Sequence, residues 1–171
     1  LAKKNSHPRD KCITFDEGPH IYTINGDSDF MSVTTWNHSH FSHFDADKII
    51  DKMMMGRKWG PAHKHWGKTK EQIKQEWKDN GIAASTAGTK MHYDIECYYN
   101  DEDVEIEEGC IEWEYFEKFE DEIGQYKEPY RTEWMVWDDE LKFAGSIDMT
   151  YVNEDGTIDI YDWKRSVGIK M

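Results

Sequence analysis

The stretch Gly145-Ser146-Ile147-Asp148-Met149-Thr150-Tyr151-Val152-Asn153-Glu154-Asp155-Gly156-Thr157-Ile158-Asp159-Ile160-Tyr161-Asp162-Trp163-Lys164 decides the fold. Two β-rich runs, 141–152 and 157–164, flank the turn signal Asn153-Glu154-Asp155-Gly156. A third run, 130–137, precedes them across Asp138-Asp139. An antiparallel meander is expected. Side chains alternate faces along a strand, so Asp162 and Lys164 share one side and Trp163 takes the other. Asp148 lies on the neighbouring strand. Carboxylates so placed can hold a hard divalent cation, and a lysine beside them can orient water and offset charge on a phosphate. Taken alone, Asp-x-Lys is also a common surface pair on an edge strand.

Upstream of the meander the pattern turns helical. A helix is expected over 110–123, burying Ile111, Tyr115, Phe116 and Phe119. Before it lies an acidic loop, 100–108. Another helix should run from about 83 to 99, with Ala84, Ala87, Met91, Ile95 and Tyr98 on one face. Thr69 and Gln72 form a capping box opening a separate helix to about Asp79. Asp45 caps a helix carrying Ile49, Ile50, Met53 and Met54, which Gly56 ends. At the start, 12–16 and 20–24 read as a hairpin around Glu17-Gly18-Pro19, and Asn25-Gly26-Asp27 is a further turn. Residues 31–36 suit a short strand or the start of a helix. The expected class is α+β: a central mixed sheet with an antiparallel meander, flanked by helices, in one domain over 1–171.

Within the 83–99 helix, His92 and Glu96 are spaced i, i+4 and share a face. They can add two metal ligands, or simply sit on a solvated face. Asp94 points elsewhere and reads as solvated. Glu133 reads as a polar strand residue rather than a ligand.

The chain has 171 residues and a net charge of −14, which excludes a simple basic coat for nucleic acid. The charge is segregated. From Asp101 to Ile123 twelve acids face one base, Lys118, whereas from Lys52 to Lys78 eight bases face Glu71 and Glu76. Lys58, Lys64 and Lys68 are therefore candidate phosphate contacts. Trp59, Trp66 and Trp77 beside them can stack on unpaired bases, with core packing the alternative. Cys12, Cys97 and Cys110 are odd in number and widely spaced, as expected of free thiols in a reducing intracellular compartment. The basic N-terminus has no apolar run behind it, so no secretory signal is expected. No run is long and apolar enough for a membrane span.

Taken together, Gly88…His92…Glu96, Gly145…Asp148 and Asp162-Trp163-Lys164 resemble the RecB-type branch of the PD-(D/E)xK nuclease superfamily. That branch carries a G-x-x-x-H-x-x-x-E helix, a G-x-x-D strand and a D-x-K strand in this order. The resemblance covers residues 83–166. Ser32-Val33-Thr34-Thr35-Trp36 and the helix after Phe44-Asp45-Ala46-Asp47 resemble viral and mitochondrial single-strand exonucleases of the group. The resemblance implies a restriction-endonuclease-like α/β/α fold, with His92, Asp148 and Asp162 as ligands of Mg²⁺ or Mn²⁺. It makes Glu96 a further ligand and Lys164 the catalytic lysine. It implies hydrolysis of DNA at ends or in single strands, and a replication or repair partner. An RNA endonuclease and an inactive nuclease-fold scaffold are the alternatives. Two departures stand out. The Q-x-x-x-Y helix that usually follows D-x-K does not occur before Met171, and no cysteine follows Lys164 to complete an iron–sulfur cluster.

Overall fold

Turn chemistry sets the first three strands. Asn25 and Gly26 both adopt positive φ, 51° and 87°, the geometry that lets a two-residue turn match strand twist. In the computed structural model, which describes residues 1–166, β1 (Ile13–Asp16) and β2 (Ile21–Ile24) pair antiparallel, and β3 (Asp27–Ser32) pairs back on β2. Ser32 then caps α1 (Val33–Ser39), its hydroxyl accepting from the Thr35 amide. The remaining elements are α2 (Ala46–Met54), α3 (Lys70–Tyr99), α4 (Ile111–Glu122), β4 (Glu128–Asp138), β5 (Phe143–Val152) and β6 (Ile158–Tyr161). The fold is α+β, with an open mixed sheet flanked by helices, ordered β1-β2-β3-β5-β4 with β6 also on β5. The β3–β5 pairing is parallel and brief, Met31 with Phe143 and Ser32 with Ala144. The meander β4-β5-β6 is antiparallel, as expected.

The contacts divide the chain into two compact units: Leu1–His40 with the chain from Gly88 onward, and Phe41–Ala87. In the first, one apolar cluster joins Ile13, Tyr22, Ile24, Phe30, Trp137 and Ala144. A second joins Ile95, Tyr99, Phe116, Met149 and Tyr151 under α4, with Trp163 packed against it. Burying each such side chain contributes about 1.5–3 kcal/mol. The other unit centres on Ile50 and Ile73, both fully buried. Its basic residues are partly neutralised: Lys68 pairs with Glu76, Lys70 with Asp51 and Lys74 with Asp47. No described helix is long and apolar enough to cross a membrane.

Three local expectations change. The two helices expected over 69–79 and 83–99 are one helix, α3, of 30 residues. Thr69 and Gln72 do exchange capping hydrogen bonds, but Gly81 does not break the helix. A helical glycine costs only about 1 kcal/mol, and the good formers after it carry the helix on. In α4, Phe116 is buried but Ile111 and Tyr115 are exposed, at 50% and 68%. The buried face runs through Trp113, Phe116 and Phe119 instead. Asp94 is 5% exposed rather than solvated. Lys90, one turn earlier, donates to both of its carboxylate oxygens and to the Glu105 carbonyl, which neutralises the buried charge.

Candidate metal centre

Three elements of the first unit converge on one point. Strand β4 brings Glu133, β5 brings Asp148, and the second half of α3 brings His92. Nδ1 of His92 lies 3.4 Å from Oε1 of Glu133 and 3.6 Å from Oδ2 of Asp148. One donor atom from each residue lies within 4.8 Å of the other two. The β4–β5 register explains the two acids. Thr132 pairs with Met149 and Trp134 with Ile147, so Glu133 and Asp148 stand opposite one another. Like charges in that position are destabilising. Glu133 itself takes a φ of 42°, a left-handed conformation that costs a non-glycine residue roughly 1–2 kcal/mol. Strain and repulsion thus coincide at one residue.

Each donor is held in place. The Ser146 hydroxyl donates to Oε2 of Glu133, 3.0 Å. The Trp163 amide donates to Oδ2 of Asp148, 2.8 Å. Nε2 of His92 lies 3.0 Å from the Trp163 carbonyl oxygen. A carbonyl can only accept, so Nε2 carries the hydrogen. Neutral His92 therefore points the Nδ1 lone pair at two carboxylates, and three electron-rich atoms face one another. Either a proton on Nδ1 or a bound cation has to occupy the gap. An imidazole fixed by a backbone carbonyl on its far nitrogen is the arrangement that orients histidine ligands in metal sites.

The electrostatics follow. The hydrogen bond to Glu133 raises the His92 pKa above its usual 6.5; burial opposes this, and the charges of Asp148 and Glu133 add to it. Burial raises the Asp148 pKa above 3.8. The Trp163 amide and His92 work against the rise, and Asp162 and Glu133 support it. Glu96, one turn along α3 from His92, is also raised, by burial first and then by the charges of Glu133 and Glu102. Its carboxylate lies outside the convergent group, within reach of Glu133's field.

Asp162 and Lys164 lie just past the end of β6, which is shorter than expected. They do share a side: Nζ of Lys164 is 2.7 Å from Oδ1 of Asp162. Trp163 turns the other way, against Phe116, Phe119 and Tyr161. The pair is exposed, 72% for Lys164 and 57% for Asp162. Asp162 acts on Asp148 through its charge without joining the three convergent donors. Lys58, Lys64 and Lys68 belong to the other compact unit, where Lys68 is bound to Glu76.

Glu133 is the residue the strand reading undervalued. Its place opposite Asp148 follows from the observed register, Asp138 against Phe143, which a turn at Asp138-Asp139 does not give. Compared with known proteins, the chain matches no family model, no curated protein and no solved structure.

Proposed function

We propose that this protein is a divalent-metal-dependent nuclease of restriction-endonuclease-like fold that hydrolyses DNA at ends or in single strands. The observation that supports the reading best is the convergence of His92, Glu133 and Asp148 around an uncompensated gap. The donor set fits a cation. The separations of 3.4 and 3.6 Å are roughly one and a half times a metal–ligand bond of about 2.0–2.4 Å, the spacing of neighbouring donors round one ion. Two carboxylates suit Mg²⁺ or Mn²⁺, and the imidazole favours Mn²⁺ over Mg²⁺. When bound, the cation offsets charge on the phosphate and makes a water easier to deprotonate.

The chain's own residues supply the rest. Trp163, through its backbone, aims His92 and Asp148, and Ser146 aims Glu133. Glu96, kept less acidic by burial, stands ready to take up a proton or a ligand position. Lys164 reaches solvent from beside Asp162. There it can exchange the Asp162 carboxylate for a substrate phosphate and stabilise the charge that builds during attack.

End-labelled single- and double-stranded DNA, and RNA of the same sequence, incubated with Mg²⁺, Mn²⁺ or a chelator, test the reading. Metal-dependent DNA cleavage that Asp148→Asn abolishes is the expected result. Cleavage of RNA alone moves the assignment to an RNA endonuclease. No cleavage of any substrate by the folded wild type overturns it.

A further inference from the structure

The unit Phe41–Ala87 holds a surface that the metal centre does not use. Residues 56–68 form a chain of tight turns: the amides of Trp59, His63, Trp66 and Lys68 each bond to the carbonyl three residues back. These turns fix the indole of Trp59 against that of Trp66, ring centres 5.6 Å apart, and against the His63 ring, 4.9 Å apart. Trp66 remains 48% exposed. Trp77, by contrast, contacts Phe44 and His65, and His65 is buried. Trp66 therefore offers one indole face to solvent in a setting fixed by its neighbours.

The charge around it says what does. Lys68, Lys70 and Lys74 are tied to Glu76, Asp51 and Asp47. Arg57, Lys58 and Lys64, which lie one or two residues before an indole in sequence, are exposed and form no ion pair among the described residues. In a chain of net charge −14, these three cations lie within two residues of an indole along the chain and are left free for an anion. A folded protein partner would offer carboxylates, but as separate charges rather than the regular row of a polyanion. A duplex offers phosphates, but its base faces are stacked inside. An unpaired strand offers both a polyanionic backbone and free base faces.

We propose that the Trp59–Trp66 face, with Arg57, Lys58 and Lys64, is a stacking platform for single-stranded nucleic acid. The choice of nucleic acid among polyanions rests on the nuclease reading. The platform itself does not depend on the metal centre. Trp66 is the stacking surface, Trp59 and His63 support it from behind, and the three cations engage flanking phosphates. Binding is then tolerant of sequence and steeply dependent on salt.

The test is equilibrium binding by the full chain to labelled single-stranded DNA, single-stranded RNA and duplex DNA of equal length, in chelator so that nothing is cleaved. Single strands should bind at least about tenfold tighter than duplex and quench tryptophan fluorescence. The DNA and RNA arms decide which sugar is preferred. Trp66→Ala should weaken binding about fivefold to a hundredfold, the range for loss of one stacked base, and Trp66→Phe should restore most of it. Lys58→Gln with Lys64→Gln should lower the slope of log affinity against log salt by roughly 0.7 for each charge removed. Asp148→Asn should bind as the wild type does, which separates this surface from the metal centre: retained binding with lost cleavage supports the platform. Equal affinity for duplex and single strands, or wild-type affinity in a Trp66→Ala variant with an unchanged circular-dichroism spectrum, overturns it even where cleavage is intact.

Discussion

Strand β4 carries two charged clusters two residues apart, and they are built on opposite terms. Arg131 is buried, and its guanidinium donates to both oxygens of Asp10, at 2.9 and 3.1 Å, and to the Asn5 carbonyl. One cation meets one anion and the charges balance, although Nε of Arg131 is buried without a hydrogen-bond partner among the described residues. Glu133 meets Asp148, a second carboxylate, and only His92 stands between them among the described residues. That cluster is open: it has more negative charge than it can balance, and a strained backbone at Glu133. Folding alone favours the first arrangement. The second is held by single hydrogen bonds but leaves two carboxylates facing one imidazole, which is the physical reason to read it as a site.

The two clusters should fail differently when broken. On the proposed nuclease function, the largest effect is on cleavage. Asp148→Asn should reduce cleavage by roughly 10³-fold, the scale of losing a group that stabilises transition-state charge, as read by single-turnover gel assay. Lys164→Ala should cost about 10²-fold while leaving Mn²⁺ affinity near wild type. The next effect is on stability. Asp10→Ala leaves a buried guanidinium without its anion and should cost about 3 kcal/mol in urea denaturation, with Mn²⁺ binding unchanged in the folded fraction. Broken the same way, the open cluster should respond with the opposite sign. Without metal, Asp148→Asn removes a facing like charge and should stabilise the fold by about 0.5–1 kcal/mol.

Acidity sharpens the contrast. The hydrogen bonds from Arg131 hold the Asp10 pKa below its usual 3.8. Its contribution is therefore present above pH 3.8 and is lost as pH falls through the depressed value. His92 is raised above 6.5 and Asp148 above 3.8. The folded cluster binds protons more readily than the unfolded chain, so its contribution is full on the acid side and is lost as pH rises through the raised values. Metal-free protein should thus lose stability from His92 as pH rises from 6.5 through its raised value, and Mn²⁺ should restore it. Proton NMR of the His92 ring should give a pKa above 6.5 that falls in Glu133→Gln. An unchanged His92 titration in that variant would remove Glu133 from the cluster.

Much of the fold was legible because it rests on local signals. The hairpin turn at Asn25-Gly26, the caps at Asp45 and Thr69, and the meander around Asp138-Asp139 and 153–156 are all local chemistry. The continuity of α3 was not, since a single glycine weighs little against the residues on either side. His92 and Asp148 are expected together by the resemblance, whereas spacing pairs His92 with Glu96 and Asp148 with Asp162, and neither Glu96 nor Asp162 joins the convergent donors. Glu133 and the burial of Asp94 were not legible, because each depends on a partner: a strand register in one case, Lys90 and the Glu105 carbonyl in the other. The Asp162–Lys164 pair was read correctly as facing one way. Its exposure could not be read, because that depends on where β6 stops.

The most direct measurement is calorimetric titration of Mn²⁺ into the metal-free protein near pH 7.5, for the wild type and for His92→Ala, Glu133→Gln, Asp148→Asn and Asp162→Asn. One Mn²⁺ per chain is expected in the wild type. Affinity should weaken by about tenfold or more in each of the first three variants, and by less in Asp162→Asn, whose carboxylate stands outside the convergent donors. No binding to the wild type, or wild-type affinity in Glu133→Gln and Asp148→Asn, would contradict the assignment of this cluster as a metal centre.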